Sequence, residues 1–213
     1  MFQGPLKQTN GALDLAISGL GFLTLASPNN TENRFYTRDG SLGFSSNGEV
    51  INQQGLNLLA HPVVGDATYN TAILEKVIIQ PNITDSLGNT RILTNVNVSS
   101  SGVLKAIYGL DKEVVIAKIP LTSFESMEAL QSEGNNLFTP TTKSGEPLVG
   151  IALERNMGEI ISGFLEGSNV EITDELVKML KYQQAYSGNS RLLQTEIDIT
   201  KRLIDGWSYN NGK

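Results

Sequence analysis

The stretch after Gly167 constrains the possible folds more than any other part of the sequence. No proline occurs from Thr173 to the C-terminus and apolar residues recur at helical spacing, which predicts one helix over about 174–205. Thr173 stands where an N-cap would, and Asp174 and Glu175 place carboxylates at the positive end of the helix dipole. Read as heptads, Met179, Tyr186, Leu193 and Thr200 fall at one core position and Gln183, Ser190, Ile197 and Ile204 at the other. Val177, Leu180, Leu192, Ile199 and Leu203 form a second stripe. Such a helix is roughly 45 Å long at about 1.5 Å per residue, and a small domain cannot cover two stripes of it. The pattern therefore asks for partner helices. The competing expectation is a terminal helix that folds back onto its own domain.

Upstream of Gly167 the texture is that of short strands. The chain holds 19 Asn beside 21 Gly, residues that tolerate positive φ and favour turns. Leu13, Leu15 and Ile17, then Phe22 and Leu25, read as two strands around Gly19-Leu20-Gly21. Asp39-Gly40 and Asn47-Gly48 are turn dipeptides, with Leu42 and Phe44 between them and Val50-Ile51 after. Such signals every 8–12 residues or so are those of a sandwich, barrel or meander. Within 62–103 the strand candidates are Val77-Ile78-Ile79 and Val96-Asn97-Val98, with Asp85 and Gly88-Asn89 in the stretch between them. Glu113 to Ile119 is the most hydrophobic strand candidate and is expected in the core. Phe124 to Gln131 reads as one short helix, and Trp207 and Tyr209 as a tail beyond the long one. The fold class is thus mainly β with a long C-terminal α-helix. A discontinuous β core at 1–61 and 104–167 would surround a small β insertion or second lobe at 62–103, followed by the helical segment 168–213.

Chemistry is sparse. A net charge of −6 and the lack of a Lys/Arg stripe interleaved with aromatics argue against nucleic acid. Without cysteine there are no disulfides, thiol nucleophiles or Cys-ligated metals, and a single His61 excludes a multi-histidine metal site. His61, beside Pro62, reads as a surface loop histidine. Gly19-x-Gly21 lacks the third glycine of a phosphate loop and is followed by a strand, so it reads as a turn. Carboxylate pairs such as Asp39 and Glu49 can be drawn from any acidic chain. No catalytic, cofactor-binding or metal residue is assigned. No apolar run reaches the roughly 18 residues of a membrane span, and Met1 to Asn10 is not a cleaved signal peptide.

Four blocks in order resemble one family, the axial proteins of the bacterial flagellum, comprising hook and basal-body rod proteins. They are Gly4-Pro5-Leu6 with Thr9-Asn10 and Ala12 to Phe22; Tyr36-Thr37-Arg38-Asp39-Gly40-Ser41 with Asn47-Gly48 and Gly55; Gly134-Asn135-Asn136-Leu137-Phe138 with Ser144-Gly145; and Ser162 to Val170 leading into the helix. The resemblance implies a structural subunit, not an enzyme, that polymerises into a hollow torque-transmitting tube. C-terminal helices would line its channel and β domains would form the wall. Leu176, Met179, Leu180, Tyr186, Leu193, Ile197, Leu203 and Ile204 are then the expected subunit contacts. The implied partners are further copies of the chain and neighbouring rod, hook, hook-cap and junction proteins, with no cofactor and no small-molecule substrate. The implied location is the flagellum, from periplasm to exterior, reached by the flagellum's own export apparatus. The family's N-terminal helix has no counterpart before Met1, which implies a shortened chain, a split gene or a mis-set start codon.

The short middle fits a compact rod protein or a hook protein with a reduced outer domain, and the entry Asn169 to Leu176 reads more like the hook version, so the hook type is slightly preferred over a distal or proximal rod protein. Arg38 and Asp39 are candidates for an ion pair facing a neighbouring subunit. An alternative from another class is a carbohydrate- or protein-binding β domain with a C-terminal multimerisation helix.

Overall fold

The computed structural model describes residues 3–65, 68–84, 88–154, 156–168 and 172–210; for 172–175, 203 and 205–210 it describes the backbone alone. The chain divides into two units, Met1–Gly167 and Ser168–Lys213.

The first unit is built from antiparallel strands. Its opening part holds β1 (Leu6–Gln8), β2 (Leu15–Ser18), β3 (Leu23–Ser27), β4 (Asn30–Thr37), β5 (Leu42–Phe44), β6 (Val50–Asn52) and β7 (Asn57–Pro62). The middle adds β8 (Glu75–Lys76), β9 (Asn82–Thr84), β10 (Thr90–Val98), β11 (Val103–Tyr108) and β12 (Lys112–Lys118). The closing part holds β13 (Pro120–Ser123), β14 (Gln131–Gly134), β15 (Leu137–Thr139), β16 (Leu148–Ile151), β17 (Glu159–Ser162) and β18 (Phe164–Glu166). The main sheet runs β14-β15-β4-β3-β7-β12-β11-β10-β9, with β5, β6 and β8 attached beside β7. Three further pairs, β1–β18, β13–β16 and β2–β17, stand outside that path.

Leu15, Ile17, Leu23, Leu25, Leu58, Leu104, Ile119 and Leu121 are fully buried and form the centre of the core. Phe22, Tyr36 and Phe124 make a second cluster, in which Phe22–Phe124 and Tyr36–Phe124 meet edge to face. The asparagine surplus has a matching structural use: Asn10, Asn135, Asn136 and Asn156 all sit at positive φ. Gly19-Leu20-Gly21 does separate two strands, but these do not pair with each other. β2 pairs with β17, and β3 with β4 and β7, so the turn is a corner between two sheets.

Several expectations are corrected. Glu113 to Ile119 is not a core strand throughout: β12 meets β7 only through Ala117↔Pro62 and Lys118↔His61. Its first half is therefore an edge, and Val114 and Ile116 are only partly buried. Residues 124–131 contain a single 3-10 turn at Met127–Ala129 before β14 begins. Val77 and Ile79 are buried without lying in a strand, tied instead by backbone bonds to Val50, Leu58 and Gly48. Val96 to Val98 do lie in β10. Asp85 is outside the described residues. His61 is no loop histidine: it lies in β7, only 3% exposed, and its Nδ1 donates to the Ile73 carbonyl at 2.8 Å.

The second unit is one helix, α1 (Ile172–Asn210). It begins at Ile172, within two residues of the expected start, and carries the backbone of Trp207 and Tyr209 within it, so the expected tail is helix. The side chains of Thr173, Asp174 and Glu175 lie outside the described residues, as do those of Trp207 and Tyr209.

Candidate functional site

Two surfaces bear on what the chain can do: the face of α1, and the place where the β unit holds its own first and last strands together.

Along α1 the side chains of Leu176, Met179, Leu180, Tyr186, Leu193, Ile197 and Ile204 are between 50% and 76% exposed. Those of the second stripe, Val177, Leu192 and Ile199, are exposed as well. Leu203 lies in the helix, with its side chain outside the described residues. A helix apolar on more than one stripe and uncovered at these described positions is unfavourable in water as an isolated element. Thr195 and Thr200 return their hydroxyls to the carbonyls of Arg191 and Glu196, so neither is held by a tertiary partner there. What this arrangement offers is surface for burial, not a reacting group.

The clamp on the β unit's own ends was not legible in the sequence. β1 pairs antiparallel with β18 through Leu6↔Glu166, Lys7↔Leu165 and Gln8↔Phe164. The Gly167 amide donates to the Pro5 carbonyl at 2.8 Å, and the Thr9 amide to the Gly163 carbonyl at 2.8 Å. The backbone preceding Gly4 and that following Gly167 therefore lie at the same end of this ladder. Gln3 adds bonds from its amide to the Ile17 carbonyl and from the Gly19 amide to its own Oε1.

Arg38 stands over this ladder. Its Nε donates to Glu166 Oε2 at 2.8 Å, Nη1 to the Gly19 and Gly21 carbonyls at 3.0 Å each, and Nη2 to the Ile17 carbonyl at 3.1 Å. The other oxygen of Glu166 accepts the Gly4 amide at 2.9 Å. The Arg38 and Glu166 side chains are only 15% and 13% exposed, so the pair is shielded from water. A planar guanidinium suits this work because its donors diverge in one plane towards several acceptors, which an ammonium cannot match. Arg38 thus pairs with Glu166, not with Asp39. The Asp39 carboxylate instead accepts the Ser41 amide and the Asn136 side chain. Glu49 is paired with Lys76 at 3.6 Å, so Asp39 and Glu49 serve different neighbours.

Two phenols in the β unit are perturbed. Burial raises Tyr108 above its ordinary 10.0, and its hydroxyl donates to the Gln80 carbonyl at 2.8 Å. Tyr36 is also raised, chiefly by burial, with Arg34 opposing and Glu146 adding to the shift. Among the described residues no group of three or more His, Asp or Glu is placed to hold a metal.

Residues 16–106 match the model of the flagellar hook protein FlgE/F/G D1 domain, and residues 161–205 that of the flagellar basal body rod FlgEFG protein C-terminal region. The flagellar basal-body rod protein FlgG of Buchnera aphidicola subsp. Baizongia pistaciae is 30% identical over 203 residues, covering 94% of this chain and 67% of the relative. That of Borreliella burgdorferi is 32% identical over 194 residues, covering 91% of this chain and 64% of the relative. The flagellar hook protein FlgE of Salmonella typhimurium is 29% identical over 182 residues, covering 79% and 44%. The chain spans about two thirds of the length of the rod relatives and under half of that of the hook relative.

Proposed function

We infer the role of this chain from one premise: it belongs to the family of bacterial flagellar hook and basal-body rod proteins. On that basis it is a structural subunit of the flagellum that polymerises into a hollow helical tube. α1 lies towards the channel of that tube and the β unit forms its wall. A tube of this kind needs heterologous contacts that do not close into a ring. The observation that carries the proposal is the uncovered apolar surface of α1 at Leu176, Met179, Leu180, Tyr186, Leu193, Ile197 and Ile204. Leu203 completes the same set by its place in the heptads.

Copies of this chain and the adjoining rod, hook, hook-cap and junction proteins are the partners, and the flagellar export apparatus is the route outward. The work is mechanical, so no substrate is turned over and no cofactor is required. Replacing Leu193 or Ile197 by Asp is expected to leave the β unit folded and abolish assembly. Variants that still polymerise or restore motility would sink the proposal.

Of the two branches, the rod type is favoured because rod relatives align with more of this chain, and with more of their own length, than the hook relative does. The hook type is the second reading, supported by the helix entry from Asn169 to Leu176, of which 169–171 lie outside the described residues. Electron microscopy of isolated hook–basal bodies labelled on this subunit separates them: label within the basal body supports the rod, label on the hook overturns it.

A further inference from the structure

The β1–β18 ladder has little to hold it in place by itself. It is a two-stranded sheet outside the main sheet path, and β1 contributes one half-buried and two exposed residues. A lone two-stranded ribbon is marginal in water. Yet this ladder contains β18, the last strand before the helical unit. Among the described residues, Arg38 is a side chain that ties β18 across to the body of the domain. It holds Glu166 and, from the same guanidinium, the carbonyls of Ile17, Gly19 and Gly21 at the corner between β2 and β3. Gly19 and Gly21 keep positive φ at that corner, which turns the backbone so that both carbonyls point at one donor group. Charge-assisted bonds that are partly buried are the strong ones, and this donor group serves four acceptors.

We propose that Arg38 is a positioning residue for assembly: through Glu166 it fixes the β1–β18 ladder to the β2–β3 corner, so that β18, the last strand of the β unit, is held in one place on that unit. This rests on the assembly role proposed above. The clamp reaches the core cluster only at the Ile17 carbonyl, while Leu25, Leu58 and Leu104 of that cluster accept nothing from Arg38.

The test is amide exchange in the full chain, comparing the wild type with Arg38→Ala and Glu166→Gln, together with incorporation of each variant into hook–basal bodies. The expected result is exchange at least about tenfold faster at the Gly167 and Thr9 amides, as loss of a charge-assisted bond implies. Amides of Leu25 and Leu104 should keep wild-type rates, and incorporation should fall. Unchanged exchange in the ladder overturns the proposal. So does a uniform acceleration of ladder and core in Glu166→Gln, the milder variant, which decides the matter if Arg38→Ala unfolds. A loosened ladder with wild-type incorporation overturns the positioning role while leaving the assembly role intact. Conversely, normal assembly of Ile197→Asp would remove the assembly role without touching the exchange result.

Discussion

Gly40 and Leu15 meet backbone to backbone: the Leu15 amide donates to the Gly40 carbonyl at 3.0 Å, and a β-carbon on Gly40 would collide with the Leu15 carbonyl oxygen. Its φ is not in the positive range that favours glycine, so space, not conformation, selects glycine here. Gly40→Ala should therefore destabilise the β unit by about 1–3 kcal/mol through overpacking against backbone. Urea unfolding followed by tyrosine fluorescence measures this, and a variant with wild-type midpoint would show that the segment around Gly40 can move away from β2 freely.

Tyr108 and Tyr36 set an alkaline limit. Each phenol is raised above 10.0 in the fold, mainly by burial, so the native state holds its proton where the unfolded chain begins to release it. The linked stability is intact below 10.0 and is lost as pH rises through the folded values. Tyr108→Phe should cost about 1 kcal/mol near neutrality by removing the bond to Gln80. It should also flatten the fall of Tm with pH above about 10. Parallel Tm–pH curves for wild type and variant would contradict this assignment.

Asn57 is buried in β7, and neither atom of its side-chain amide has a hydrogen-bond partner among the described residues. Burying an unpaired amide costs about 1–3 kcal/mol. Asn57→Val keeps the strand and a comparable volume, so stability should be unchanged or raised by about 1 kcal/mol. A loss of more than about 2 kcal/mol in the same urea assay would mean that the amide is satisfied in solution.

The sequence carried local information well and distant information poorly. Period-2 alternation is visible in Val103 to Tyr108, where every second residue is buried, and turn glycines such as Gly48, Gly55 and Gly163 do adopt positive φ. The apolar stripes of α1 were readable because helical spacing is fixed by local geometry. Burial of β12 was not, because it depends on how far a neighbour follows the strand, and β7 touches only its end. His61 was misplaced for a related reason: Pro62 resembles a loop signal, but here it terminates a strand. Arg38 and Glu166 are 128 residues apart, Arg38 beside a turn and Glu166 at the end of β18. The adjacent Asp39 offered a nearer carboxylate, so nothing local pointed to Glu166.

The most direct test of the central claim is the accessibility of a thiol at Ile197 before and after assembly. The chain contains no cysteine, so Ile197→Cys introduces a single reactive site on a side chain now 54% exposed. Maleimide should label the purified chain rapidly and the same variant in isolated hook–basal bodies slowly, because neighbouring helices would cover that position. Equal labelling rates in the two states would contradict burial of the α1 stripe between subunits.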